Sequence, residues 1–329
     1  MRIEVPGRAT LLVLLLAGLV GPGAGAASAQ VEDLARDCHG TSLALYPHPL
    51  AGPCGDGALL AQAAQAGVGL AQAGPGTLVG SSSTLGRRFG STPRVVLSLR
   101  GGLTRVPLPD TREEPTGNLT ATVPSIHAAV VAGVFDGFMP KPTVGGLLAV
   151  DLLLTGDWAF LPDGAGFDGS SAAWGYGLRL GVLRESFTLP GITLSATRRH
   201  GGSFTVQPGP VGTPRVDMDV TTTSVRGEVG KELAGFGFLG GLGWDWYSSD
   251  VELDVSGGLP DPPVEPVSAS GFDSGRALAF AGISRTFLVV QLAGELGYAW
   301  GFDAPPPDGS TYDAGEGSLF GTLSFRLTF

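Results

Sequence analysis

From Arg94 onward the chain alternates apolar and polar residues in runs of about ten, separated by stretches rich in Gly, Pro and Asp. Successive side chains of an extended strand point to opposite faces, so each run predicts a strand with two unlike faces. In the last run, Gly315–Phe329, one face carries Gly317, Leu319, Gly321, Leu323, Phe325, Leu327 and Phe329. The other carries Glu316, Ser318, Phe320, Thr322, Ser324, Arg326 and Thr328. Equally clear alternation runs through Trp174–Val182, Phe236–Trp246 and Leu288–Trp300. Weaker runs at Arg94–Thr104, Val123–Phe135, Val144–Thr155, Ile192–His200, Asp217–Gly230 and Arg276–Ile283 bring the expectation to about ten strands. Most approach the nine to eleven residues that a tilted strand needs to cross a bilayer.

The predicted connections alternate in length. Arg105–Thr122, Gly156–Ala173, Gly201–Val216, Tyr247–Gly275 and Gly301–Ala314 are long, and the stretches between them are shorter, as at Lys231–Gly235. Short turns at one end and long loops at the other are the pattern of a membrane barrel, and an even strand count puts every long loop outside. Trp174, Trp244, Trp246, Tyr298 and Trp300 fall at strand ends bordering the long loops, where an aromatic girdle at headgroup level is expected. Arg100, Asp151, Arg179, Arg226, Glu228, Glu295 and Arg326 lie mid-strand, opposite the apolar rows. An Arg or Lys at mid-depth on a lipid face costs about 2–4 kcal/mol, so these charges are expected to face the lumen.

The N-terminus reads differently. Arg2 and Arg8 precede an apolar stretch, Leu11–Val20, and Ala27-Ser28-Ala29 forms a small-x-small site before Gln30. That is the pattern of a secretory signal peptide over 1–29, too short for a membrane span. Residues 30–93 show little strand period, and Gly57–Ala73 is rich in the helix formers Ala, Leu and Gln. This segment is expected to be a periplasmic extension or a plug, followed by a barrel over 94–329. Cys38 and Cys54, the only cysteines, would meet an oxidising compartment after export and are expected to form a disulfide worth roughly 3 kcal/mol. His39 and His48 nearby lack the spacing of a Cys/His metal site, and no metal or cofactor is expected.

Apolar residues at every second position before a terminal Phe329 resemble the last strand of bacterial outer-membrane β-barrel proteins. The resemblance implies an all-β, antiparallel transmembrane barrel of 10–14 strands in the outer membrane. It also implies that Phe325, Leu327 and Phe329 form a tail read by the barrel-assembly machinery, with periplasmic chaperones and outer-membrane lipid as further partners. In layout the N-terminal segment is similar to the hatch of the fatty-acid transporter family, though a ten-strand lumen looks too narrow for a helical plug.

Composition narrows the functions. Mean hydropathy is +0.24, yet after the signal no apolar run approaches the length of a membrane helix. Loss of Arg2, Glu4 and Arg8 with the signal would take the net charge from −10 to −11, which argues against nucleic-acid partners. A narrow porin-like channel is the leading expectation, against a lumen closed by its own ion pairs and a structural or adhesive barrel acting through its loops. Prolines in Leu259–Pro266 and Ala304–Asp308 predict stiff loop tips. Acidic stretches Asp157–Asp168 and Asp245–Asp254 read as solvated loops without a calcium motif. His127 with Ser125 is one conceivable acid–base pair and His200 near Asp217 another, and neither spacing is a signature, so no enzyme is expected. Oligomeric state is not readable from the sequence.

Overall fold

The computed structural model describes residues 25–40, 52–80, 82–88, 92–112, 116–139, 146–209, 213–255, 266–302 and 311–328. Two helices, α1 (Gly25–His39) and α2 (Gly52–Ala73), precede ten barrel strands. These are β1 (Thr92–Asp110), β2 (Gly117–Phe135), β3 (Ala149–Phe160), β4 (Ser170–Leu183), β5 (Gly191–Gly201), β6 (Thr221–Leu233), β7 (Phe236–Asp254), β8 (Val267–Phe287), β9 (Val290–Ala299) and β10 (Ser318–Thr328). Each pairs antiparallel with its neighbours in sequence, and β10 closes on β1 with Phe325 opposite Leu99. Closure leaves no barrel edge unpaired, the condition for a sheet to stand in lipid.

The outer wall is apolar because alternation is kept in register around the ring. Leu99 and Leu103 on β1, Leu152 and Leu154 on β3, Leu242 on β7, Leu296 on β9 and Leu323 on β10 all point outward and are exposed. So continuous a belt is stable only against hydrocarbon, and the fold is a transmembrane barrel. At one end lie tight turns, including Ala234–Gly235 and Leu288–Val289. By the loop-length rule that end is periplasmic. Leu288, expected to start a strand, instead sits in its turn at φ 57°, and β9 begins at Val290.

At the other end the strands outrun the bilayer. β1, β2, β7 and β8 have 19, 19, 19 and 21 residues. The predicted loops Arg105–Thr122 and Tyr247–Gly275 are therefore largely strand. Their polar outward faces hid this, since apolar alternation stops at the membrane surface while hydrogen-bonded pairing does not. Short strands at Phe167–Asp168, Phe204–Val206 and Arg215–Met218 extend the same sheet. The expected strand Val144–Thr155 begins later, at Ala149, and continues to Phe160.

Candidate functional site

The barrel contains its own N-terminal segment. α2 has mostly apolar or small residues on every side, which marks a helix buried all round. It enters among the extended outer strands and descends toward mid-lumen. A methyl group added at Gly57 would lie 2.4 Å from Leu253, at Gly67 2.2 Å from Val106, and at Gly69 2.5 Å from Tyr247. The sequence-based expectation that ten strands are too narrow for a helix is thus overturned. An α-helix with ordinary side chains is about 10–12 Å wide. This one makes its closest approaches to the wall through Gly57, Gly67 and Gly69, so its effective width there is nearer that of the backbone. α1 also packs at this end, where Gln30 Nε2 donates to the Gly271 carbonyl. Cys38 and Cys54 form a disulfide between the two helices. The predicted cleavage point before Gln30 falls inside α1, and residues 1–24 lie outside the described residues.

Below α2 the chain continues through the lumen as irregular backbone, and the wall's charges hold it by main-chain atoms. Arg226 Nε donates to the Pro75 carbonyl at 2.8 Å, and Arg100 Nη1 to that of Gly76 at 2.8 Å. Glu295 accepts from the Gly76 and Gly80 amides at 3.3 and 3.4 Å, and Glu228 from the Thr77 amide at 3.2 Å. Asp151 accepts from the Leu85 amide at 3.0 Å. Irregular backbone in a barrel must find such partners, since unpaired buried N–H and C=O groups are costly. Apolar anchors add to the grip: Leu70 packs with Leu278, Phe280 and Phe320, and Leu78 with Val96, Val131 and Leu153.

Six of the seven predicted lumen charges are buried and face inward: Arg100, Asp151, Arg179, Arg226, Glu228 and Glu295. Arg326 is half-buried toward the periplasmic end. Besides gripping the plug they pair with one another, Arg179 reaching Asp151 at 3.4 Å and Glu228 at 3.5 Å. Arg226 pairs with Asp245 at 2.7 Å. Asp157 and Asp245, expected in solvated loops, are instead buried on lumen-facing strand positions. Arg199 and Arg276 join the same lining and were not singled out by sequence. Arg199 sat in a predicted strand beside Arg198 and His200, and only its parity could have marked it.

Trp174, Tyr298 and Trp300 point outward near the outer ends of their strands, and Trp158 joins them, whereas Trp244 and Trp246, expected at a strand end, lie near the middle of β7 because that strand runs on to Asp254. Tyr298 and Trp300 rings lie 5.8 Å apart and Trp244 and Trp246 6.2 Å apart. Phe325 and Leu327 face outward at the periplasmic end, and Phe329 lies outside the described residues, as do 256–265 and 303–310 with most of the predicted proline tips. The His200 ring lies tilted against Trp174 with centroids 5.1 Å apart, while Asp217 bonds Thr205 and Arg215, so that predicted pair is not brought together. His127 and Ser125 are brought together, with Asp157 beside them.

No protein-family description matches the chain. No curated protein matches it either. Among solved structures it is similar to the translocator domain of the autotransporter NalP from Neisseria meningitidis, at 11% identity, with 72% of this chain and 88% of that one covered and a TM-score of 0.39. It is also similar to the transport unit of the autotransporter AIDA-I from Escherichia coli, at 10% identity, 82% and 98% coverage and a TM-score of 0.36. The outer-membrane protease OmpT from Escherichia coli gives 12% identity, 76% and 100% coverage and a TM-score of 0.35. These neighbours share a barrel and differ in role, so the functional argument rests on this chain's own residues.

Proposed function

We propose that the protein is an outer-membrane barrel held closed by its own N-terminal segment, whose working surface is the extended outer end. Its export by the 1–29 signal and its insertion through the tail ending at Phe329 belong to the same reading. The observation that carries it is the passage of α2, residues 74–80 and residues 82–86 through the lumen, gripped by wall charges. A porin needs a wet, open path, whereas here the lumen charges are spent on backbone and on each other. Above the membrane, the extended strands and both helices share one apolar core containing Leu34, Leu59, Val106, Val216, Leu253 and Phe272. That core makes the outer end a folded platform.

Planar-bilayer recording tests the reading. Full-length mature protein refolded in detergent should insert without passing steady current at moderate voltage. Deletion of 30–86 should open a path and give discrete conductance steps. Steady current through the intact barrel, unchanged by the deletion, would falsify the closed-lumen reading.

A further inference from the structure

Beyond the plug, the lumen holds a constellation that the closed-barrel reading leaves unused. Ser125 and His127 sit two residues apart on β2 and face inward together, and Asp157 stands opposite His127 on β3. Ser125 Oγ lies 2.9 Å from His127 Nε2, and His127 Nδ1 lies 2.8 Å from Asp157 Oδ1. Asp157 is itself fixed, accepting from Thr155 Oγ1 at 3.0 Å and Arg199 Nε at 3.2 Å. With Nδ1–H donated to Asp157, Nε2 offers its lone pair to the Ser125 hydroxyl. That is the nucleophile–base–orienter order required for acyl transfer.

A reacting carbonyl also needs room and donors. Gly102 pairs with Ser125 on one side and Thr322 on the other, and has no side chain to fill the space between them. A methyl group there would lie 2.7 Å from Ser125 Oγ and 3.2 Å from the Thr322 methyl. Two buried donors on neighbouring inward positions have no partner among the described residues: Thr322 Oγ1, on the residue paired with Gly102, and Arg100 Nε, two residues along β1 and paired with His127. An unsatisfied buried donor is costly unless something else comes to occupy it. Here two of them sit on residues paired with Gly102 and His127, beside the nucleophile and its base.

We propose that Ser125, His127 and Asp157 form a triad that cleaves a small carboxylic ester in the lumen. Ser125 Oγ bonds the ester carbonyl carbon while His127 Nε2 takes the hydroxyl proton. The carbonyl oxygen, now an oxyanion, receives hydrogen bonds from Arg100 Nε and Thr322 Oγ1. The bond from carbon to the alcohol oxygen breaks, and His127 returns the proton to the departing alkoxide. Water then attacks the acyl-serine with the same base, releasing the acid and restoring Ser125. Asp157 is a positioning residue. The wall is tight at Gly102 and Gly74 of the plug lies against Arg100, which restricts substrates to short acyl groups.

The test is active-site labelling of the full-length folded barrel in detergent with diisopropyl fluorophosphate, located by peptide mass spectrometry, alongside hydrolysis of p-nitrophenyl acetate. Folding of every variant is checked by the heat-dependent shift in gel mobility. Because the plug covers the site, Gly67→Val, whose added methyls would strike Val106, is run as a loosened form. The expected result is one adduct on Ser125 in the wild type or the loosened form, with ester turnover. Both should fall at least 100-fold in Ser125→Ala and His127→Gln and stay unchanged in Ser324→Ala, another buried lumen serine. Asp157→Asn should slow labelling, and Asp157→Glu should recover part of the rate. Absence of a Ser125 adduct in both folded forms would overturn the proposal. So would an adduct on Ser125 that survives His127→Gln. Neither result bears on conductance, so the closed-lumen reading stands or falls separately.

Discussion

Arg226 and Asp245 form an ion pair 2.7 Å apart on adjacent strands, both sealed from solvent, and the same guanidinium also holds the Gly74 and Pro75 carbonyls. One side chain therefore ties wall to wall and wall to plug. Asp245 is further tied by the Tyr247 hydroxyl, which donates to its second oxygen at 3.1 Å. Removing one partner of a buried pair strands the other charge, at a cost of about 3–5 kcal/mol. Arg226→Met should lower the urea midpoint of the detergent-refolded barrel by that much, followed by Trp fluorescence. Adding Asp245→Asn should recover a large part of the loss. If the double variant is no more stable than the single, the pair is not the source of the effect.

A second prediction concerns the fit of α2. Gly67 lies where a methyl group would come within 2.2 Å of Val106 Cγ1, so Gly67→Val overpacks the contact. Overpacking in a close-fitting site costs about 1–3 kcal/mol. The barrel itself does not depend on that contact, so α2 should be displaced while the strands stay paired. The expected signs are protease cleavage within 52–80 and new conductance, with an unchanged β-sheet circular dichroism spectrum. A variant that stays protease-resistant and silent would mean that the wall gives way around the helix.

These two sites also show where sequence reasoning succeeded and where it stopped. Strand parity placed Arg226 and Glu228 on the inner face, because lipid leaves no other place for a charge. It could not see that their partners would include the backbone of Gly74, Pro75 and Thr77, since a main-chain group leaves no mark in sequence. The helix over Gly57–Ala73 was visible from composition, but composition does not say what its glycines are for. They are the positions of closest approach to Leu253, Val106 and Tyr247. Asp157 was assigned to a loop because β3 continues past the last clear alternation, and with it went the third member of the Ser125–His127 group.

Acid should loosen the outer end slightly. Asp110 ends β1 above the membrane, and Arg112 donates to both its oxygens at 2.7 Å. The Arg112 hydrogen bonds hold the Asp110 carboxyl below the ordinary carboxylate value, outweighing its burial. A carboxyl with a depressed folded pKa adds stability above its unfolded value, near pH 4, and loses it as pH falls through the folded value. Arg112 is 40% exposed, so the contribution is under about 1 kcal/mol. Asp110→Asn should therefore lower the urea midpoint at pH 7 by a small amount and leave it unchanged near pH 2. An equal loss at both pH values would assign the effect to packing.

The periplasmic turn between β6 and β7 offers a gain of stability. Ala234 and Gly235 have φ of 52° and 78°, the left-handed values of a two-residue type I′ hairpin turn. Gly takes this conformation freely, whereas a residue with a Cβ crowds the following carbonyl. Asn-Gly is the preferred pair for such a turn, because the Asn side chain compensates by local hydrogen bonding. Ala234→Asn should raise the urea midpoint by the equivalent of about 0.5–1 kcal/mol. Ala234→Val, which adds a β-branch at a positive φ, should lower it. Both substitutions lie away from the lumen, so conductance and labelling of Ser125 should not change. If Ala234→Asn and Ala234→Val shift stability in the same direction, backbone strain at this turn is not what limits the hairpin.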